Sequence, residues 1–281
     1  MAPQDPIICS VWDVEQDILD VFHAVCTQNH LRYSLGYGTL IGAVRHGGFI
    51  PWDDDIDVMM PREDYDKLLL LWDSVAPEGY LIQNHHKSPE YPNNFSKIVK
   101  DRTTFLQDEW ARKRNFHKGF FIDIFPADRV APGFISRKFQ FASCAINLLY
   151  SKNFRSGTGG LKGFIEVLLL SLPKKFRMKL RQSTENYIKR WSSRTDCPWF
   201  FPCTLQECGL HYPSTLFDHL GTISFRDKTY FCFENPDIPL RIQYGEYMVL
   251  PPEEERVWKH HPILIDFNRN YEEIEEQSQN G

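Results

Sequence analysis

Four carboxylates crowd into five positions, Asp53-Asp54-Asp55-Ile56-Asp57, between Pro51-Trp52 and the apolar run Val58-Met59-Met60. Asp55 to Met60 alternates polar and apolar residues, the pattern of a strand with one polar face. Alternation would set Asp53, Asp55 and Asp57 on one side. A same-face Asp-x-Asp holds its carboxylates about 7 Å apart or less, and a cation between them relieves the repulsion. Hard oxygen donors of this kind suit Mg2+ or Mn2+. An isolated acidic run is commonly a solvated turn, but the apolar flanks put this one at the edge of a core.

Asp123 is the second pointer. It lies in Phe120-Phe121-Ile122-Asp123-Ile124-Phe125, the most apolar setting of any acid in the chain. A buried lone carboxylate is costly unless it is paired or binds metal. A salt bridge would satisfy it equally; with Asp55 and Asp57 it completes a three-carboxylate site. Lys97 and Lys100 lie on a preceding short strand, three apart, so at most one of them faces that site. Gly36-Tyr37-Gly38-Thr39 is a turn opening a helix, where close backbone approach and the helix N-terminus favour phosphate oxygens. Arg45 and His46, at the far end of that helix, are candidates for an anionic group or for ordinary surface pairing. His260-His261 precedes Pro262, with one of the pair able to reach the site or both exposed.

The elements that must position these residues read as follows. Helical spacing covers 11–29, Leu40 to His46 and Arg62 to Val75. Short strands are predicted at Arg32 to Leu35, Tyr80 to Gln83, Ser96 to Lys100, Thr103 to Gln107 and Gly119 to Phe125. Residues 136–153 and 161–192 are predicted helical, broken at Gly157 to Gly160 and at Pro173. Strands follow around Thr222 to Phe225 and Thr229 to Phe233, and the acidic tail after Asn268 is expected to fray. The fold class is α+β, one mixed-sheet core with a helical insertion. The expected divisions are 1–135 for the catalytic core, 136–195 for a basic helical insertion or lid, and 196–281 for a C-terminal part packing on the core.

A chain of 281 residues with 42% hydrophobic and 25% charged residues is an ordinary globular protein. Its net charge of −5 argues against nucleic acid as a partner. No apolar run reaches the ~18 residues that span a bilayer. Seven cysteines, and no basic-then-apolar start within Met1 to Ser10, lead to the expectation of reduced thiols in a cytoplasmic protein. Cys197, Cys203, Cys208 and His211 cluster, but their spacing lacks a C-x2-C pair, so buried thiols are expected and structural Zn2+ is the alternative. Ser151 to Arg194 carries a net charge of +9, leaving −14 elsewhere. Apolar Phe164 to Leu172 beside basic Lys174 to Lys179 suits either a lid with a solvated basic face or, through 161–190, the inner face of an anionic membrane.

The run Tyr37-Gly38-Thr39-Leu40-Ile41-Gly42-Ala43-Val44-Arg45-His46-Gly47-Gly48-Phe49-Ile50-Pro51-Trp52-Asp53-Asp54-Asp55-Ile56-Asp57 resembles the signature of the LicD family. That family lies in the nucleotidyltransferase superfamily and is distantly similar to fukutin and fukutin-related proteins. Tyr244-Gly245-Glu246-Tyr247-Met248, Pro251 to Arg256 and His260-His261-Pro262 resemble the C-terminal end of bacterial LicD proteins. The resemblance runs from about Tyr33 to about Asp266. It implies a nucleotidyltransferase-like core and transfer of a phospho-alcohol, phosphocholine first, from a CDP-linked donor to a glycan hydroxyl, with release of CMP. The acceptor would be a cell-surface glycan or its lipid-linked precursor. By position it implies Asp55, Asp57 and Asp123 as catalytic metal ligands, with Gly38 and Thr39 at the donor phosphates. Arg45, His46 and Lys97 are added as substrate contacts, and Asp53 and Asp54 as residues that orient the ligands. Two other functions stay open: a nucleotidyltransferase moving NMP onto a small acceptor, and a non-catalytic glycan-assembly subunit.

Overall fold

The computed structural model describes residues 6–152, 160–202, 209–258 and 260–280. The first element is α1 (Pro6–Gln28), whose Val11, Ile18, Leu19, Phe22 and Val25 are buried on one helical face. Next come β1 (Ser34–Leu35), α2 (Tyr37–His46), β2 (Asp57–Pro61), α3 (Arg62–Val75), β3 (Tyr80–Gln83), β4 (Ser96–Lys100), β5 (Thr104–Leu106), α4 (Glu109–Arg112) and β6 (Phe121–Arg129). Three helices follow: α5 (Phe134–Lys152), α6 (Gly160–Ser171) and α7 (Lys174–Lys189). The chain ends with β7 (Trp199–Pro202), β8 (Tyr212–Pro213), β9 (Leu220–Phe225), β10 (Lys228–Phe233), α8 (Asp237–Tyr244), β11 (Leu264–Asp266) and α9 (Tyr271–Asn280).

The expected α+β class is what forms. One mixed sheet has seven strands, running β1-β2-β6-β4-β3, with β7 beside the far half of β6 and β8 beside β7. Among the described residues only β2 and β6 pair in parallel. The near-continuous apolar run of β6 follows from its place: it has neighbours on both edges and is buried along almost its whole length. Helix α1 packs on β4 and β6, and α3 on β2, β3 and β6. The β9–β10 hairpin packs against β1 and α2, and β11 pairs with β5, so the C-terminal third is built into the core. Helices α5 and α7 pack together around Cys144 and Ile188.

Two expectations are corrected. The strand starts at Asp57, not Asp55, so Asp53 and Asp55 are not set on one side by strand alternation. Before Asp57 the chain wraps the start of α2: Thr39 Oγ1 accepts the Asp57 N–H at 2.8 Å, and Gly36 N–H donates to the Asp57 carbonyl at 2.9 Å. The tail does not fray from Asn268; α9 runs from Tyr271, whose buried ring packs with Leu106 and Ala111. Glu272 and Glu273 sit in its first turn, where the helix dipole favours them.

Among the described cysteines, Cys26, Cys197 and Cys232 are free thiols; Cys203 and Cys208 of the zinc alternative lie outside the described residues. Among the described residues no helix is long and apolar enough to cross a membrane. The helical insertion nevertheless keeps large apolar side chains in solvent, with Phe164 66% and Phe176 65% exposed.

A polar clamp ties that insertion to the core. His85 and His86, after β3, reach Glu185 of α7 at 3.1 and 3.2 Å, and Lys189 reaches Glu185 at 2.9 Å. Burial is the largest influence on His85 and holds its pKa down to about 4. Burial alone would raise Glu185, but the His85 and His86 hydrogen bonds outweigh it and hold the carboxyl well below the usual range. An imidazole with a depressed folded-state pKa takes up its proton more readily when unfolded. Its contribution is therefore present above pH 6.5 and is lost as pH falls toward 4. Glu185 adds a loss in the same direction below pH 4.5. Thermal midpoints recorded from pH 7.5 to pH 4 should fall more steeply for wild type than for His85→Gln. The difference should reach roughly 2–3 kcal/mol at the acid end; parallel curves would mean that His85 is not held neutral.

Candidate active site

The parallel register makes Asp57 and Asp123 direct partners, and the antiparallel register makes Asp123 and Lys97 partners. Register partners project from the same side of a sheet. Asp57, Asp123 and Lys97 therefore form one row across β2, β6 and β4. The Lys97 ammonium lies 2.7 Å from Asp123 Oδ1 and 3.1 Å from the centre of the Phe121 ring, a contact that holds it by charge and by the ring face. Lys100 turns elsewhere, donating to Asp17 Oδ2 at 2.6 Å. One lysine of the pair faces the acids, as strand alternation requires.

Burial is the largest influence on Asp57, followed by the charges of Asp55, Asp123 and Asp53, and together they push its carboxyl well above the usual range. Asp123 is also raised by burial, with Lys97 opposing. Asp55 and Asp57 are half-buried, Asp55 with 18% of its side chain exposed, whereas Asp53 and Asp54 are buried. Asp54 is fully buried and pairs with His260, whose Nδ1 lies 2.9 Å from Asp54 Oδ1 and whose Nε2 lies 3.9 Å from Asp55 Oδ2. Burial disfavours the His260 cation, but the Asp54 hydrogen bond and the charges of Asp55 and Asp54 win, so its pKa is raised. His260 thus belongs to the acidic site, a contact across 206 positions.

The start of α2 closes the other side. A Cβ on Gly38 would come 2.4 Å from Asp53 Oδ2, so glycine is what lets the helix N-terminus approach that carboxylate. The Asp53 carbonyl accepts the Trp12 indole N–H at 2.8 Å, which anchors the run from below. Tyr37 adopts a left-handed backbone with φ of +47°, uncommon for an aromatic residue. Its ring packs on Phe125 at 4.7 Å, and the surrounding fold holds this strained position at the edge of the site. Arg45 and His46 stand about 10 Å along the helix from Gly38. Arg45 donates to the Tyr247 carbonyl at 2.5 Å and to His46 at 3.0 Å. Arg256 lies over the Trp52 ring at 5.5 Å, so these cations rim the turn that leads into the acids.

Glu15 of α1 was not among the sequence candidates. It is buried, and burial followed by the charges of Asp55, Asp54, Asp53 and Asp123 pushes it well above the usual carboxylate range. Its signal was legible: an acid on the face that also carries Val11, Ile18, Leu19 and Phe22. Among the described residues, Glu15 Oε2 and Asp54 Oδ2 are buried without a hydrogen-bond partner. Carboxylates on two adjacent strands, the half-buried Asp55 beside them and orphaned carboxylate oxygens behind form a donor set that fits a hard divalent cation. Asp55, Asp57 and Asp123 do not draw within 4.8 Å of one another; among the described residues only His85, His86 and Glu185 form a trio that tight, and Lys189 already neutralises Glu185.

The LicD/FKTN/FKRP nucleotidyltransferase domain matches residues 30–143, the stretch that holds α2, the acidic run, Lys97 and Asp123. The chain is also 33% identical over 256 residues to the lipopolysaccharide cholinephosphotransferase LicD of Haemophilus influenzae, covering 85% of this chain and 91% of that protein. The chain belongs to the LicD family. An uncharacterized protein of Rickettsia prowazekii is 30% identical over 109 residues, 36% of this chain and 39% of its own length. Membership accounts for the agreement between the motif at 37–57 and the mixed sheet that carries it.

Proposed function

We propose that this LicD-family phosphotransferase moves phosphocholine from CDP-choline to a hydroxyl of a cell-surface glycan or its lipid-linked precursor, releasing CMP. The observation that carries the reading is the row Asp57, Asp123, Lys97 beside the N-terminus of α2. Identity over most of both chains to a lipopolysaccharide cholinephosphotransferase supports the choice of phosphocholine. The acceptor oxygen attacks the choline-bearing phosphorus, the P–O–P bond breaks, and CMP leaves with the electron pair. The hydroxyl proton passes to a carboxylate of the cluster.

Asp55, Asp57 and Asp123 are the residues that would hold Mg2+ or Mn2+, which would supply neutralising charge to the diphosphate. The protein's own groups orient the donor. Backbone amides at the start of α2 favour phosphate oxygens. Thr39 accepts from the Asp57 N–H, which leaves its hydroxyl hydrogen for a phosphate oxygen. Lys97 supplies a cation beside Asp123, and Arg45 supplies charge at the rim, with the His46 ring, held neutral by burial and by Arg45, as a polar contact beside it. The protein works at the inner face of a membrane, where a lipid-linked acceptor is presented.

Donor choice is tested by titrating the purified protein, with Mg2+ present, against CDP-choline, CDP-ribitol and CDP-glycerol. CDP-choline should bind at least about tenfold more tightly than the other two, a difference of about 1.4 kcal/mol. Equal or tighter binding of a polyol donor would displace phosphocholine from the proposal.

A further inference from the structure

A second cationic site stands apart from the acids. Arg114, Lys174, Arg177 and Arg181 line a pocket of about 230 Å³, together with Tyr150 and Met178. Among the described residues that line it Glu90 is the one acid, and it accepts the Asn115 N–H at 2.8 Å. Among the described residues no carboxylate lies within 4.0 Å of the cationic nitrogens of Arg114, Lys174 or Arg181. Neutral partners hold two of these cations in place instead. Arg181 donates to Ser151 Oγ at 2.6 Å and to Asn147 Oδ1 at 3.3 Å, and Arg114 lies over the Trp110 ring at 4.8 Å. Burial lowers the Arg181 guanidinium to about 10, the cost of a desolvated cation that an anion would repay.

Met178, which lines the pocket, is 56% exposed, and elsewhere on α7 and α6 Phe176 and Phe164 stand in solvent. A cationic pocket with an exposed apolar side chain on its wall, on helices that keep apolar side chains in solvent, matches a ligand with a phosphate head and a lipid body. The volume is below the ~300 Å³ of a drug-sized site, a size for a phosphate and its adjoining atoms. The pocket wall at Pro89 and Glu90 belongs to the β3–β4 connection. That connection continues through Phe95, packed on Phe125 at 4.3 Å, to Lys97 of the acidic site. One loop therefore borders both sites.

We propose that this pocket binds a phosphate group borne by a lipid-linked acceptor, and so holds that acceptor at the membrane surface beside the acidic site. The proposal rests on the reading of a lipid-linked glycan acceptor given above. Its test is co-sedimentation of the full chain with phosphatidylcholine vesicles, with and without a minor fraction of phosphatidic acid. Lys174→Gln changes an exposed residue at the first position of α7, and Lys179→Gln removes a charge from the same helix outside the pocket. Binding should require phosphatidic acid, weaken roughly tenfold with Lys174→Gln and change less than about twofold with Lys179→Gln. No binding, or equal loss in both variants, would overturn the pocket. Inorganic phosphate is added against sodium chloride of equal ionic strength. Phosphate should displace the protein from these vesicles more strongly than the chloride, because it competes for the same pocket; equal effects of the two salts would mean ionic screening and overturn it. Vesicle binding needs no nucleotide donor, so failure here and failure of the phosphocholine reading are seen in separate assays.

Discussion

Asp57→Asn is expected to lower CMP release from CDP-choline by about a thousand-fold or more, the loss of a group that acts at the transferring phosphate. The same change is expected to stabilise the metal-free protein. Asp57 faces the charges of Asp55, Asp123 and Asp53, with Lys97 opposing them. Removing one negative charge relieves that repulsion while asparagine keeps the shape. Relief of about 1 kcal/mol would raise the thermal midpoint by roughly 2–4 °C in a chain of this size. Added Mg2+ should raise the wild-type midpoint and move the variant less. A merely structural aspartate behaves in the opposite way, losing stability along with activity. Midpoints with and without Mg2+, beside CMP release for both proteins, decide between the two. A destabilised Asp57→Asn with wild-type turnover would remove Asp57 from the site.

The largest stability effect is expected at Arg62. Its guanidinium pairs with Asp128 through two bonds, Nε to Oδ1 at 2.8 Å and Nη2 to Oδ2 at 2.6 Å, with both side chains almost wholly buried. Ser192 Oγ adds a bond to Asp128 at 3.1 Å, so the pair joins α3, β6 and the segment after α7. Arg62→Leu would leave Asp128 charged and buried with Ser192 as its remaining partner. Breaking one half of a buried pair costs about 3–5 kcal/mol, which lowers the thermal midpoint by roughly 10 °C. Arg62→Leu with Asp128→Leu should recover a large part of that loss, because the cost lies in the stranded charge. Denaturant melts of the two variants check this; a double variant no more stable than the single would show that other contacts of Arg62 dominate.

Much of this arrangement can be read in the chain before any fold is known. Period-two alternation set Asp57 on a strand, and the apolar run around Asp123 marked a buried one. Spacing alone separated Lys97 from Lys100. The sequence does not contain the register that makes Asp57, Asp123 and Lys97 neighbours, because strand pairing is decided by the whole sheet. It does not contain the bond between His260 and Asp54 either, since nothing local links residues so far apart. Glu15 was visible as an acid on an apolar helix face, a pattern that deserved the weight given to Asp123. The strand before Asp57 was misread because alternation describes the side chains, whereas the backbone there is claimed by Gly36 and Thr39.

Purified protein is incubated with CDP-choline, Mg2+ and a lipid-linked glycan acceptor, and all phosphorus-containing products are resolved, with EDTA and Asp55→Asn as controls. CMP and phosphocholine-bearing acceptor should appear in equal amounts, and both should vanish with EDTA and with Asp55→Asn. CMP attached to the acceptor, or product formation that persists with Asp55→Asn, would contradict the account.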